Sequence, residues 1–329
     1  MKINSIIDII DGKLLNSPSI SFIYSFKTDV NKVKEGDLFI ANNLDDIQIA
    51  VQKGAFAIIT KSIYPIIDNE IAWIKVDDIN TIIIKLIRYK LANFNLKAYF
   101  CNDISYELLT VFSSNEKKVK LISKDLGKFI STIDEIDGNS IIISKDIDLL
   151  NKLYPNNTNF EKENFSITNL IEHSIFEVSF TYKDTYFQRI KIPSIYIEDF
   201  IRVYNFLSLN EFDDSKLKNF NFFKPIFLDK NLTIIEFGKS NKFIIVQNEP
   251  SLINKEINYL KDKFSYAKTV YITSTYIKNI SVEQIIVKDI NKIKNVIENQ
   301  SFNALYISGF KFEDIQQILL KKEKELSLF

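Results

Sequence analysis

The chain has 329 residues, 46% of them hydrophobic, with Lys+Arg and Asp+Glu balanced at 42 each. That length allows two or three domains with sizeable cores, and a net charge of zero leaves no basic surplus for nucleic acid or an anionic membrane surface. Cys101 is the only cysteine and His173 the only histidine, which excludes an internal disulfide, a metal site built on imidazoles, and any Ser–His–Asp triad not served by His173 itself.

No apolar run reaches the roughly 20 residues that a membrane span requires. Residues 1–12 read as a short amphipathic helix stopped by Gly12; an aspartate inside the apolar run and the lack of a small-residue cleavage site argue against a signal peptide. With one cysteine, expected as a buried thiol, the chain fits a reducing cytoplasm. A short β segment is expected at 20–24, then Thr28-Asp29, then a turn at 33–36 closed by Gly36. Residues 37–41 read as a buried strand. Residues 45–53 read as a helix with Ile47, Ile49, Ala50 and Val51 inward and Gly54 at its C-terminal cap. Strands at 55–60 and 71–76 follow, and Asp77 is expected to cap a helix running to about Asn93.

Residues 97–112 combine a strand with a helix in which Ile104, Leu108, Leu109 and Phe112 recur at helical spacing, capped by Asn102 or Asp103. A strand running straight into a helix is where α/β enzymes hold phosphate on free backbone N–H groups. That chemistry needs glycines for close approach, a lysine for the phosphates and a Ser/Thr for Mg²⁺. Here no glycine occurs between Gly54 and Gly127, and the turn carries Asp103, whose carboxylate satisfies the helix N-terminus from within and repels a phosphate.

Further strands are expected at 119–122 and 140–144, and a helix at 146–154. A loop at 155–159 follows. Residues 177–182 and 186–192 read as a hairpin turning at Lys183-Asp184 and ended by Pro193, and 197–209 as a helix. His173 is expected in a solvated loop. Residues 225–229 read as a linker, followed by two strands at 232–237 and 242–247 around Gly238. Pro250 opens a helix to about Phe264, a strand covers 269–273, Asp289 caps a helix to about Asn299, and a strand at 304–308 and a helix at 311–322 close the chain. Strands alternating with helices imply parallel βαβ units, and three α/β domains are expected. Asp45-Asp46 and Asp77-Asp78 read as helix caps, Asp134-Glu135 with Asp137-Gly138 as a solvated turn, and Phe220, Phe222, Phe223 and Phe227 as packing at a domain junction.

One set of segments is more specific. Thr28-Asp29, then Lys32-Val33-Lys34-Glu35-Gly36-Asp37-Leu38-Phe39-Ile40-Ala41, then Ala50-Val51-Gln52-Lys53-Gly54-Ala55-Phe56-Ala57-Ile58-Ile59-Thr60 resemble the N-terminal domain of the Mur ligases, most of all the MurE and MurF types. Those enzymes join amino acids or D-Ala-D-Ala to UDP-N-acetylmuramoyl peptides using ATP. Residues 176–207, through Pro193 to Asn205, resemble the family's hairpin and the helix after it, and residues 232–261 and 303–319 resemble its C-terminal domain. The resemblance implies a Mur ligase N-terminal-like domain over 1–93, a truncated central P-loop-type domain over 94–224 and a Rossmann-like C-terminal domain over 225–329.

The departures from the family pattern carry the functional expectation. The family follows Thr-Asp with a hydroxyl residue and an arginine that help hold the uridine nucleotide; Val30 and Asn31 stand there, so Thr28, Asp29 and Lys32 are read as vestigial UDP-sugar positions. The family's ATP loop ends in Gly-Lys-Thr. Aligning Glu107-Leu108-Leu109 with the helix after that loop puts Cys101, Asn102 and Asp103 in those places, and with Ser105 they are the degenerate ATP-loop positions. The stretch between Phe112 and Ile141 is too short for the family's Mg²⁺-binding acid and histidine and its carbamylated lysine. The family's Asp-Tyr-Ala-His motif falls on Gln247-Asn248-Glu249-Pro250. The expectation is a catalytically inactive binding or scaffold protein of peptidoglycan precursor synthesis, with no cofactor, metal or catalytic residue and with cell-wall enzymes or a UDP-MurNAc-peptide as partner. The first alternative is an active D-alanyl-D-alanine-adding ligase using ATP and Mg²⁺; the second is an unrelated binding module that kept only the fold.

Overall fold

The computed structural model describes residues 1–113, 116–123, 125–160, 165–208 and 212–326, the last six of these by backbone alone. They form two compact units, Met1–Lys162 and Glu163–Phe329. The expected boundary at 93/94 falls inside the first unit, and the one at 224/225 inside the second.

The first unit opens with α1 (Ile3–Ile10), β1 (Lys13–Leu14), β2 (Phe26–Lys27), β3 (Leu38–Ile40), α2 (Asp46–Gln52), β4 (Ala57–Thr60), β5 (Ala72–Lys75) and α3 (Ile79–Leu91). The sheet order is β1-β5-β4-β3-β2, parallel except where β1 meets β5. Strands β3 and β4 are buried at every residue, as a sheet covered on both faces requires. Leu38, Ile40, Ala57 and Ile59 pack with α1 and α3, while the alternate residues Phe39 and Ile58 pack with Ile47 and Ala50 of α2. Ile49, expected inward, is exposed: it lies across the helix from the Ile47–Ala50 stripe. The cap of α3 is Asp78, not Asp77; its carboxylate accepts the Thr81 N–H at 2.8 Å. Asp45 makes no capping hydrogen bond.

The chain continues through β6 (Lys97–Phe100), α4 (Asp103–Phe112), β7 (Val119–Ile122), α5 (Leu126–Ile130), β8 (Ile141–Ser144), α6 (Ile147–Leu153) and β9 (Thr158–Asn159). These strands form an all-parallel sheet of order β7-β8-β6-β9. Helix α5 and strand β9 were not expected from the sequence. The two sheets of this unit share one core, in which Ile82, Leu86 and Ile87 of α3 join Leu96, Ala98, Ile142 and Leu150.

The second unit begins with an antiparallel sheet, β10 (Ile167–Ser174), β11 (Glu177–Tyr182) and β12 (Thr185–Ile190), followed by α7 (Ile197–Leu207). His173 lies on β10, not in a loop, with its Nε2 2.8 Å from Ser179 Oγ. Next come β13 (Pro225–Phe227), β14 (Phe243–Gln247), α8 (Pro250–Lys263), β15 (Thr269–Thr273), β16 (Gln284–Ile286), α9 (Ile293–Asn299), β17 (Ala304–Ser308) and α10 (Phe312–Leu326). Their sheet has the order β13-β14-β17-β15-β16, parallel apart from its edge strand β13. The expected linker at 225–229 is therefore mostly a strand, with Pro225 at the sheet edge where a missing N–H is tolerated. Residues 232–237 form no strand; a single bridge, Leu228 to Ile234, is all that pairs there.

Candidate functional site

The order β7-β8-β6-β9 puts a topological switch point in the middle of the first unit's second sheet. The chain leaves β6 through α4 toward β7, and leaves β8 through α6 toward β9, on the opposite side. In open parallel sheets a ligand crevice forms at such a point, outside the carboxyl ends of the strands. The turns that line it here are Cys101-Asn102-Asp103 after β6 and Lys145-Asp146 after β8.

The sequence-derived residues Cys101, Asn102, Asp103 and Ser105 are all brought together at this point. Cys101 is buried, and its N–H donates to the Ser144 carbonyl at 3.0 Å, extending the ladder between β6 and β8 by one residue. Asn102 is the N-cap of α4; its Oδ1 accepts the Ser105 N–H at 2.8 Å. The side chain thus takes one of the orphan donors that a phosphate would otherwise use. Asp103 sits in the first turn and accepts from Lys145 Nζ at 2.8 Å. Ser105 is fully buried. Lys145 reaches across from the β8 turn and also lies 6.0 Å from the Tyr106 ring centroid. Burial, reinforced by Cys101, pushes the Tyr106 phenol above its ordinary value. The turns at the crevice thus bond to one another: an amide cap at Asn102, and a carboxylate at Asp103 paired with Lys145.

The positions read as vestigial UDP-sugar contacts lie on a different turn. Thr28 Oγ1 donates to the Gly127 carbonyl of α5 at 2.8 Å. Asp29 accepts the Asn31 N–H at 2.9 Å and caps the 3₁₀ turn Val30–Lys32. Lys32 is exposed, and Val30 is buried in the α2-side core. Thr28 thus ties this turn to α5, Asp29 caps its own turn, and Lys32 is left at the surface. The Asp134-Glu135 turn pairs with Lys90 at 2.7 Å and Lys120 at 2.9 Å. Among the described residues, no group of three or more His, Cys, Asp or Glu could hold a metal ion, and no helix is long and apolar enough to cross a membrane.

Sequence reasoning missed a buried polar cluster in the second unit. Glu256 lies on α8 with no solvent exposure. Its carboxyl accepts from Tyr196 Oη at 2.5 Å, Gln247 Nε2 at 2.7 Å and Tyr306 Oη at 2.6 Å. Burial pushes this carboxyl above the usual carboxylate range, against the pull of the three donors, and pushes both phenols up as well. Gln247, where the resemblance would put the start of the family's Asp-Tyr-Ala-His motif, spends its side-chain N–H on this cluster. The one signal for the cluster in the sequence is a glutamate on the apolar stripe of α8.

No protein-family model matches the sequence, and no curated protein is detectably similar to it. Solved structures are similar in fold. A MurF ligase from Thermotoga maritima, in complex with ADP, aligns over 92% of this chain and 98% of that one, with a TM-score of 0.52 and 16% identity. MurF from Acinetobacter baumannii aligns over 97% and 98% of the two chains, with a TM-score of 0.53 and 11% identity. A further structure of the D-alanyl-D-alanyl ligase from that organism gives a TM-score of 0.51 at 11% identity, over 98% of each chain. The α/β architecture described above is a Mur-ligase-like fold.

Proposed function

We propose that this protein serves peptidoglycan precursor synthesis in the cytoplasm as a Mur-ligase-like binding or scaffold protein, and that it does not carry out ATP-dependent ligation. The observation that supports this reading is the way the turns at the switch point are bonded to each other. The Asn102 side chain takes a helix N–H that a phosphate would use, and Asp103 and Lys145 pair with each other at the same turn. Phosphoryl transfer rests on positioning and on cationic stabilisation of the spreading negative charge. A carboxylate in the first turn opposes that charge, and the one lysine at the site is already neutralised by it. Loss of such preorganised stabilisation costs several kcal/mol of transition-state energy, on the order of 10² or more in rate.

Titration calorimetry of the full chain with ATP and Mg²⁺ tests the reading. We expect no saturable heat at millimolar nucleotide. Micromolar, Mg²⁺-dependent binding would overturn it, and so would phosphate release from ATP on adding UDP-MurNAc-tripeptide and D-Ala-D-Ala.

A further inference from the structure

The second unit holds a cavity that the nucleotide question leaves untouched. It has a volume of about 420 Å³ and lies among Phe176, the turn that follows β12 at Lys191 and Pro193, the stretch from Leu217 to Phe237, and the start of α10. Its walls are aromatic: Phe176, Phe220, Phe222, Phe223, Phe227 and Phe237. Many of these rings meet edge to face. Phe176 and Phe227 are 5.7 Å apart at 82°, Phe227 and Phe237 5.2 Å at 76°, and Phe220 and Phe222 5.9 Å at 85°. Phe176, Phe220, Phe223 and Phe227 are buried, whereas Phe237 is 37% exposed and stands at the mouth.

The charge of the lining is one-sided. Lys191, Lys218 and Lys224 all line the cavity, and no lining residue is acidic, in a chain whose overall charge is zero. Lys191 Nζ lies 4.7 Å from the Phe237 ring centroid at the mouth. Lys224 Nζ donates to the Lys218 carbonyl at 2.9 Å and lies 5.7 Å from the Phe312 ring centroid. Burial depresses the Lys224 ammonium, and Glu313 offsets this only in part. An ammonium held in a partly desolvated, ring-lined setting gains from an anion that shares its burial.

We propose that this cavity binds an organic anion with a flat aromatic body, the rings of the wall taking the body and the three lysines the charge. The volume lies within the range of about 300–1,000 Å³ usual for small-molecule sites, and a mostly aromatic wall with a few convergent polar groups is their usual chemistry. Edge-and-face ring walls favour an aromatic body over an aliphatic one of equal area, because the ring quadrupoles complement each other.

The test is titration of the full chain with 2-naphthoate and with 2-naphthylmethanol, its neutral counterpart. We expect saturable one-to-one binding of the naphthoate and binding of the alcohol weaker by about tenfold or more, the usual worth of a charge-assisted hydrogen bond. Lys191 and Lys218 are exposed, so the double variant Lys191→Glu, Lys218→Glu keeps the core intact and should weaken naphthoate binding by about tenfold at an unchanged melting temperature. Phe237→Ala at the mouth should weaken both probes together. No saturable binding of the naphthoate, equal affinity for the two probes, or undiminished affinity in the double-lysine variant would each overturn the proposal.

Discussion

Glu256 occupies a place on α8 where the spacing of Leu252, Ile253, Ile257 and Leu260 calls for an aliphatic side chain. What makes the carboxyl tolerable is its three donors, which come from 60, 9 and 50 residues away in sequence. That is why no local reading of the chain finds the cluster, whereas the cap of α4, three residues from its partner, was legible to within one residue, Asn102 or Asp103. The same limit applies to Lys145, 42 residues from Asp103, whose pairing depends on β8 lying beside β6. The sequence thus shows no lysine in the turn after β6 itself and conceals the one that reaches Asp103 from the turn after β8. The buried carboxyl carries a pH prediction. Its folded-state pKa is raised by burial, so between the ordinary value and the raised one the native state holds a proton that the unfolded state has released. Stability must then fall as pH rises through that window, by up to about 1.4 kcal/mol per pH unit from this group. Below the ordinary value both states are protonated and the contribution is constant. Glu256→Gln keeps the shape and removes the titration, and all other groups cancel in the comparison. Urea melts of the two proteins from pH 4 to 8 should show the glutamine variant gaining on the parent as pH rises. Parallel curves would mean that the three donors cancel the effect of burial, and a parent that gains on the variant would mean that they outweigh it.

Among the elements, those whose identity is written in their own residues were the legible ones. Strands β3, β4, β14, β15 and β17 are continuous apolar runs between turn residues, and α3, α4 and α8 carry periodic stripes with caps or a Pro at the start. Strand β10 is exposed over seven of its eight residues and shows no alternation, so it is defined only by its pairing with β11. Strands β13 and β16 are three residues long and borrow their definition from β14 and β15. The glycine after α2 was legible for a steric reason. Gly54 has φ +86°, its N–H donates to the Val51 carbonyl at 2.9 Å, and its own carbonyl accepts the Gly36 N–H at 2.9 Å. A Cβ there would stand 3.1 Å from the Glu35 Cα, a backbone atom that cannot swing aside. Gly54→Ala should therefore destabilise the protein by about 1–2 kcal/mol, from left-handed strain together with the crowding. Denaturant melts give the number, and a loss below a few tenths of a kcal/mol would show that the turn relaxes freely.

At the scale of the whole molecule, the packing shows which elements depend on one another. Helix α3 presents Ile82, Ile83, Leu86, Ile87 and Leu91 to a core that includes Leu96, Ala98, Ile122, Phe129, Ile142, Leu150 and Leu153 from beyond residue 93. The short connection after α3 is itself pinned from a distance. Tyr154 Oη accepts the Leu96 N–H at 2.8 Å and donates to the Phe94 carbonyl at 3.1 Å. The first 93 residues therefore form a sheet whose α1–α3 face is completed by the segment that follows. A fragment of residues 1–160 should unfold cooperatively on heating, with the sigmoidal loss of far-UV dichroism expected of a single core. A fragment of residues 1–93 should show a broad, shallow melt and bind a hydrophobic dye, because most of one α3 face would be left in water. The contrast is sharpened by Leu86→Ala in the longer fragment, expected to cost about 2–5 kcal/mol because the side chain is fully buried in the shared core. A steep melt from the shorter fragment would show instead that the sheet of β1 to β5 and its three helices form a self-sufficient domain, and that the second sheet only leans on it.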